Sequence, residues 1–174
     1  MKDKIHIVLD LETMGNGPNA AITAIGAARA HQGTVTDKFY RKVDLASSMA
    51  SGGIVTASTI EWWLVQSEGA RLDITQPGVH IVQALTDFIE WAKPGCDLVW
   101  GNGSSFDNVI LTSAFRNAGF HEPWPFWCDR DLRTILGLYP EAKNIPFEGT
   151  KHNAVDDAVH QAKQLIGALK RHYA

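Results

Sequence analysis

A chain of 174 residues, 45% hydrophobic and 20% charged, has the length and composition of one globular domain, which excludes disordered and fibrous readings. Sixteen Lys and Arg against 19 Asp and Glu leave a net charge of −3, so any binding to nucleic acid must be local or metal-mediated. Two isolated cysteines (Cys96 and Cys128), an early acid in MKDKIHIVLD and no apolar run near ~18 residues exclude disulfide-framework, zinc-finger, signal-peptide and membrane-spanning classes, so the expectation is a cytoplasmic domain with buried thiols and no membrane partner.

The elements are predicted in chain order as follows. Ile5 to Leu11 is apolar and β-branched and reads as a strand. Ala20 to Ala30 and Thr34 to Val43 read as two more, joined by a turn at His31-Gln32-Gly33, so an antiparallel meander is expected. Asp44 to Ser58 is rich in Ser, Ala and Gly and reads as a loop and a candidate mobile flap. A short helix over Thr59 to Gln66 carries Trp62 and Trp63. Residues Val79 to Ala92 form a helix with a stripe of Val79, Val82, Leu85 and Ile89, stopped by Pro94-Gly95. Asp97 to Gly101 reads as a buried strand and Phe106 to Ala118 as a helix. The Pro- and aromatic-rich HEPWPFWCDRD is a connection to a helix over Leu132 to Leu138. Ala154 to Lys170 is strongly amphipathic, with Val155, Ala158, Val159, Ala162, Leu165, Ile166 and Leu169 on its apolar face. Strands first, then a strand among helices, predict an α/β domain around a mixed β-sheet.

Three segments carry the chemistry. Side chains alternate along a strand, so Asp10 and Glu12 of Asp10-Leu11-Glu12-Thr13 share one face while Leu9 and Leu11 take the other. Two adjacent carboxylates at an apolar strand end repel each other unless a cation lies between them, and hard divalent ions favour such oxygen ligands. Gly101-Asn102-Gly103-Ser104-Ser105-Phe106-Asp107 follows an apolar strand and opens a helix, with Asp107 in the first turn, where helix capping explains it equally well. In His152-Asn153-Ala154-Val155-Asp156-Asp157, Asn153 is a natural N-cap and His152 precedes the helix in a loop. Helix geometry does not choose between Asp156 and Asp157. Acids from three segments could hold two metal ions about 4 Å apart, which stabilise both oxygens of a phosphodiester displacement. An imidazole beside them can take a proton from the attacking water.

D-x-E-T, N-G-x-x-F-D and H-x-x-x-x-D, in that order, resemble the DnaQ-like 3′–5′ exonucleases of the histidine-bearing (DEDDh) subtype over about residues 5 to 165. The resemblance implies a ribonuclease H-like fold with the whole of residues 1–174 as a single exonuclease domain. It also implies two Mg²⁺ or Mn²⁺ ions on Asp10, Glu12, Asp107 and Asp157, and His152 as general base. The H-x-x-x-x-D spacing of the family selects Asp157. A T-x-x-W-W-x-x-Q stretch, Thr59 to Gln66, is similar to the RNase AS-like and exonuclease VIII-related branch, which spans RNA and DNA substrates. The implied substrate is a single-stranded 3′ end of DNA or RNA, cleaved to nucleoside 5′-monophosphates. Leu11, Thr13, Met14, Trp62, Trp63, Asn102 and Phe106 would border it. One of the two tryptophans is expected in the core; an exposed one beside the acids could stack on a base. The glycine-rich Met14 to Asn19 loop departs from the commonest pattern and should border the terminal nucleotide. Relatives of this kind often dimerise, so a homodimer is an open expectation.

Two other readings compete. The haloacid dehalogenase-type phosphatases begin with D-x-D-x-T and use a late acid pair, but here the second acid is Glu12, the pair lies inside a helix, and His152 has no role. A non-catalytic nucleic-acid-binding module on the same fold would be favoured by the loss of an acid, and none is missing.

Overall fold

In the computed structural model, which describes residues 3–93 and 95–174, the chain builds a five-stranded mixed sheet flanked by helices. Strands β1 (His6–Thr13), β2 (Ile22–His31) and β3 (Thr34–Lys42) form the expected antiparallel meander. The β2–β3 turn places Gln32 and Gly33 at φ 49° and 76°, the left-handed geometry of a tight hairpin. Strands β4 (Leu98–Gly101) and β5 (Asp129–Asp131) add parallel to the other edge of β1, giving the order β3-β2-β1-β4-β5. Strand β5 lies inside the segment read as a connection. Its three residues, all charged, are too short and polar to signal a strand.

The pleat of β1 sorts its side chains between two cores. Ile7, Leu9 and Leu11 pack with Ile25 and Val99 against α4 (Ile81–Ala92) and α5 (Asp107–Asn117). Val8 packs on the opposite face with Ala28 and Trp100 against α6 (Leu132–Leu138) and α7 (Ala154–His172). Asp10 and Glu12 therefore share the face that α7 covers, as strand alternation requires. Gly26, paired with Asp10, permits this approach: a Cβ there would stand 2.1 Å from the backbone of Ala154.

Three helical expectations are corrected. Of the 44–58 segment read as a loop and flap, Leu45–Ala50 folds as α1 and the last two residues open the next helix, so only residues 51–56 remain a loop. Asp44 caps α1 by accepting from the Ser47 amide, Ser47 Oγ accepts from the Ile81 amide, and Ser48 Oγ accepts from the Ile22 amide. Ser47 and Ser48, two of the serines that suggested a loop, are buried tethers. The buried face of α4 is Ile81, Ala84, Leu85, Phe88 and Ala92, whereas Val79 and Val82 stand 39% and 38% exposed. Both stripes have helical spacing, and the bulky Phe88, packed on Phe39 and Phe115, fixes the phase. Between α2 (Ala57–Leu64) and α4 lies α3 (Glu68–Thr75), a weakly apolar helix that the pattern does not announce. Helix α4 ends at Ala92 as expected; Pro94, read as part of its stop, lies outside the described residues. Cys128 is buried and Cys96 half-buried, its thiol pushed up to about 12 by burial. No helix among the described residues is long and apolar enough to cross a membrane.

Candidate active site

The ends of β1 and β4 and the starts of α5 and α7 meet in one cleft of about 550 Å³. Asp10, Glu12, Asp107, Asp157 and His152 all line it. The register of β1 against β2 slips between Glu12 and Thr13, a bulge that re-aims the chain where the motif sits. Asp107, in the first turn of α5, accepts the Leu11 amide at 3.1 Å, which ties the two acidic segments together. The helix comes this close because residue 101 lacks a side chain: a Cβ there would lie 2.4 Å from Asn108 Oδ1. Asn108 in turn donates to Val99 O and to Asp129 Oδ1, and Trp124 Nε1 donates to the same carboxylate.

The structure separates the two late acids that helix geometry left open. Asp156 accepts the Thr150 amide at 2.8 Å and closes the loop before α7. Asp157 accepts the His152 amide at 2.7 Å, and one ligand atom from each of Glu12, His152 and Asp157 lies within 4.8 Å of the other two. His152 has φ +63°, a left-handed conformation that a non-glycine residue adopts only when its surroundings hold it. Its ring contacts Trp62 and Trp63 edge-on, with centroids 5.1 and 6.3 Å away.

The two tryptophans divide as expected. Trp63 is buried, and its indole N–H donates to Thr13 O at 2.9 Å, so it holds the end of β1. Trp62 is 44% exposed and faces the cleft. Leu11, Thr13, Asn102 and Phe106 also line the cleft, as do Gly15 and Asn16 of the glycine-rich loop. Met14 does not; its backbone is pinned instead to Ala21 and Thr56. Three contributors carry no motif. Gln161 donates Nε2 to Asp10 Oδ1 at 2.7 Å; a polar residue four positions after Asp157, interrupting an apolar face, was its signal. Arg133, in the first turn of α6, lines the rim and leaves no trace in the sequence. Lys42 shares a cross-strand row with Ala24 and Glu12, and its nine-tenths-buried side chain ends 3.9 Å from Asp73 of α3.

Ionising this cluster is costly. Burial pushes Glu12 up to about 8, with Asp157 adding repulsion and Lys42 opposing it. Burial raises Asp107 to about 6 despite the amide bonds it accepts. Asp10 lies well above the carboxylate range, through burial and then repulsion from Asp107, Glu12 and Asp157. Asp157 is raised by burial, against the His152 amide bond. Four all-oxygen donors with a surplus of negative charge fit hard divalent cations.

Residues 5–167 match the model of the 3′–5′ exoribonuclease Rv2179c-like domain. The chain belongs to this family, and so to the 3′–5′ exonucleases. It is 29% identical over 197 aligned positions to an exodeoxyribonuclease of Enterobacteria phage T4, covering 94% of this chain and 86% of that protein. The E. coli Exonuclease I complex with a dT13 oligonucleotide superposes with a TM-score of 0.65 at 15% identity, over 97% of this chain and 41% of that one. The chain thus spans about two fifths of Exonuclease I. A full-length 3′-exonuclease superposes at 0.57 with 15% identity, covering 99% and 84%. These likenesses establish the ribonuclease H-like fold. A zinc-bound Exonuclease I–ssDNA complex is also among its neighbours. The antiparallel meander and the acid pair within α7 leave no place for the phosphatase reading.

Proposed function

We propose that the chain is a metal-dependent exonuclease that removes nucleoside 5′-monophosphates from single-stranded 3′ ends of DNA or RNA. Four carboxylates and one imidazole converging in a single cleft carry this reading. Asp10, Glu12, Asp107 and Asp157 would hold two Mg²⁺ or Mn²⁺ ions. Such ions, when bound, polarise the phosphoryl oxygens and supply a nucleophilic water at neutral pH. Gln161 orients Asp10 through its 2.7 Å bond. His152, held by Asp157 and the tryptophans, accepts the proton of the attacking water. Trp62 offers its exposed face to the terminal base, a sequence-tolerant contact worth ~1–3 kcal/mol. Thr13, fixed by Trp63 and by its own bond to Gly15 O, presents the end of β1 to the terminal sugar, with Leu11 and Phe106 beside it.

The family description names RNA and the phage relative's name DNA. Both sugars therefore belong in the test. Matched DNA and RNA strands labelled at the 5′ end should shorten one nucleotide at a time, and a 3′-phosphate should block the reaction. Cleavage of a circular strand as fast as a linear one would overturn the exonuclease reading.

A further inference from the structure

Among the described residues lining the cleft, Arg133 is the one Lys or Arg. Two divalent ions on four carboxylates would leave the floor of the cleft near neutral, and with Lys42 buried against Asp73, the one full positive charge that the described lining residues offer a polyanion stands on this side chain. Its setting is specific. Nε donates to Asn102 Oδ1 in a long 3.4 Å bond, and both terminal nitrogens make no hydrogen bond among the described residues. The guanidinium lies over Gly103, 3.5–3.7 Å from where a Cβ would be, at a glycine with φ +108°. The carboxylates whose field it meets have other partners. Asp107 is tied to the Leu11 amide, and Asp131 accepts from Ser104 N, Thr134 N and Thr134 Oγ1. Among the described residues Arg133 is therefore neither ion-paired nor packed away, and its fork of donors matches a phosphodiester.

Resting on the exonuclease reading of the same cleft, we propose that Arg133 clamps the internucleotide phosphate next to the scissile one, on the strand leaving the cleft. The side chain is exposed at the rim, on the wall formed by the β4–α5 loop and α6. Trp62 and His152 occupy the α2 wall. The scissile phosphate belongs with the acids deeper in, and the next phosphate is the first that the rim can reach. Arg133 is thus a substrate-positioning residue whose effect depends on chain length.

Two substrates test this on Arg133→Gln and Arg133→Lys. One is thymidine 5′-monophosphate p-nitrophenyl ester, with a single phosphodiester; the other is a single-stranded decamer of the preferred sugar. For Arg133→Gln, kcat/KM should fall at least tenfold more on the decamer than on the ester, mostly through KM. In Ca²⁺, fluorescence anisotropy should show the slope of log Kd against log salt for the decamer shrinking by about one. Arg133→Lys should restore the slope and part of the affinity. Equal losses on both substrates, or an unchanged salt slope, would overturn the clamp. Hydrolysis of neither substrate by the unmodified protein would overturn the exonuclease reading instead, while the anisotropy slope would still report on Arg133.

Discussion

Adjacent residues at the start of α7 do different work, and the difference is measurable. Asp156 closes the 149–150 loop, Asp157 faces Glu12, and His152 stands between Asp157 and the tryptophans. Asp157→Asn should raise the Mg²⁺ or Mn²⁺ concentration needed for activity. His152→Ala should leave metal affinity nearly intact while turnover falls by about 10²–10⁴, the usual contribution of a general base. Calorimetric metal titration of both variants, alongside single-turnover rates, distinguishes the roles. Loss of metal affinity in His152→Ala would make the imidazole a ligand, which its position within 4.8 Å of Glu12 and Asp157 allows geometrically. Asp156→Ala should cost stability through the freed Thr150 amide and leave the metal dependence unchanged.

At the scale of elements, the site depends on how closely α7 lies on the sheet. Gly26→Ala would drive a methyl into the Ala154 backbone and lift the turn that carries His152 and Asp157. Denaturant unfolding should show a loss of about 1–3 kcal/mol or more, as for overpacked cores, and activity should fall with it. Unaltered activity would mean that the acids do not need this registry. Sequence periodicity was enough to place β1, the meander, α6 and α7, because each has a clear apolar pattern bounded by turn residues. It did not reveal β5, whose partners rather than its own residues make it a strand, or α3, whose face is barely apolar. Asp10, Glu12, Asp107 and His152 were legible because their motifs sit at strand ends and helix starts. Arg133 and Lys42 were not, since they meet the acids only through tertiary packing, and Gln161 showed only as a polar break in the apolar face of α7.

Across the whole molecule, the raised acids make stability depend on pH in a definite direction. Glu12 is pushed up to about 8 and Asp107 to about 6, with Asp10 and Asp157 also raised. Above roughly pH 4 the unfolded chain releases these protons while the folded chain retains them. Their contribution to stability is therefore full in acid and is lost as pH rises through about 8. In chelator, the Tm should fall between pH 5 and 8, and Mg²⁺ should recover most of the loss at pH 8; a Tm indifferent to Mg²⁺ there would contradict a metal-binding cluster. The most direct test is the release of nucleoside 5′-monophosphate from a 3′-labelled linear strand, measured in excess chelator and then during Mn²⁺ back-titration. Two ions predict no release in chelator and a recovery steeper than first order in Mn²⁺. Undiminished hydrolysis in chelator would contradict the account.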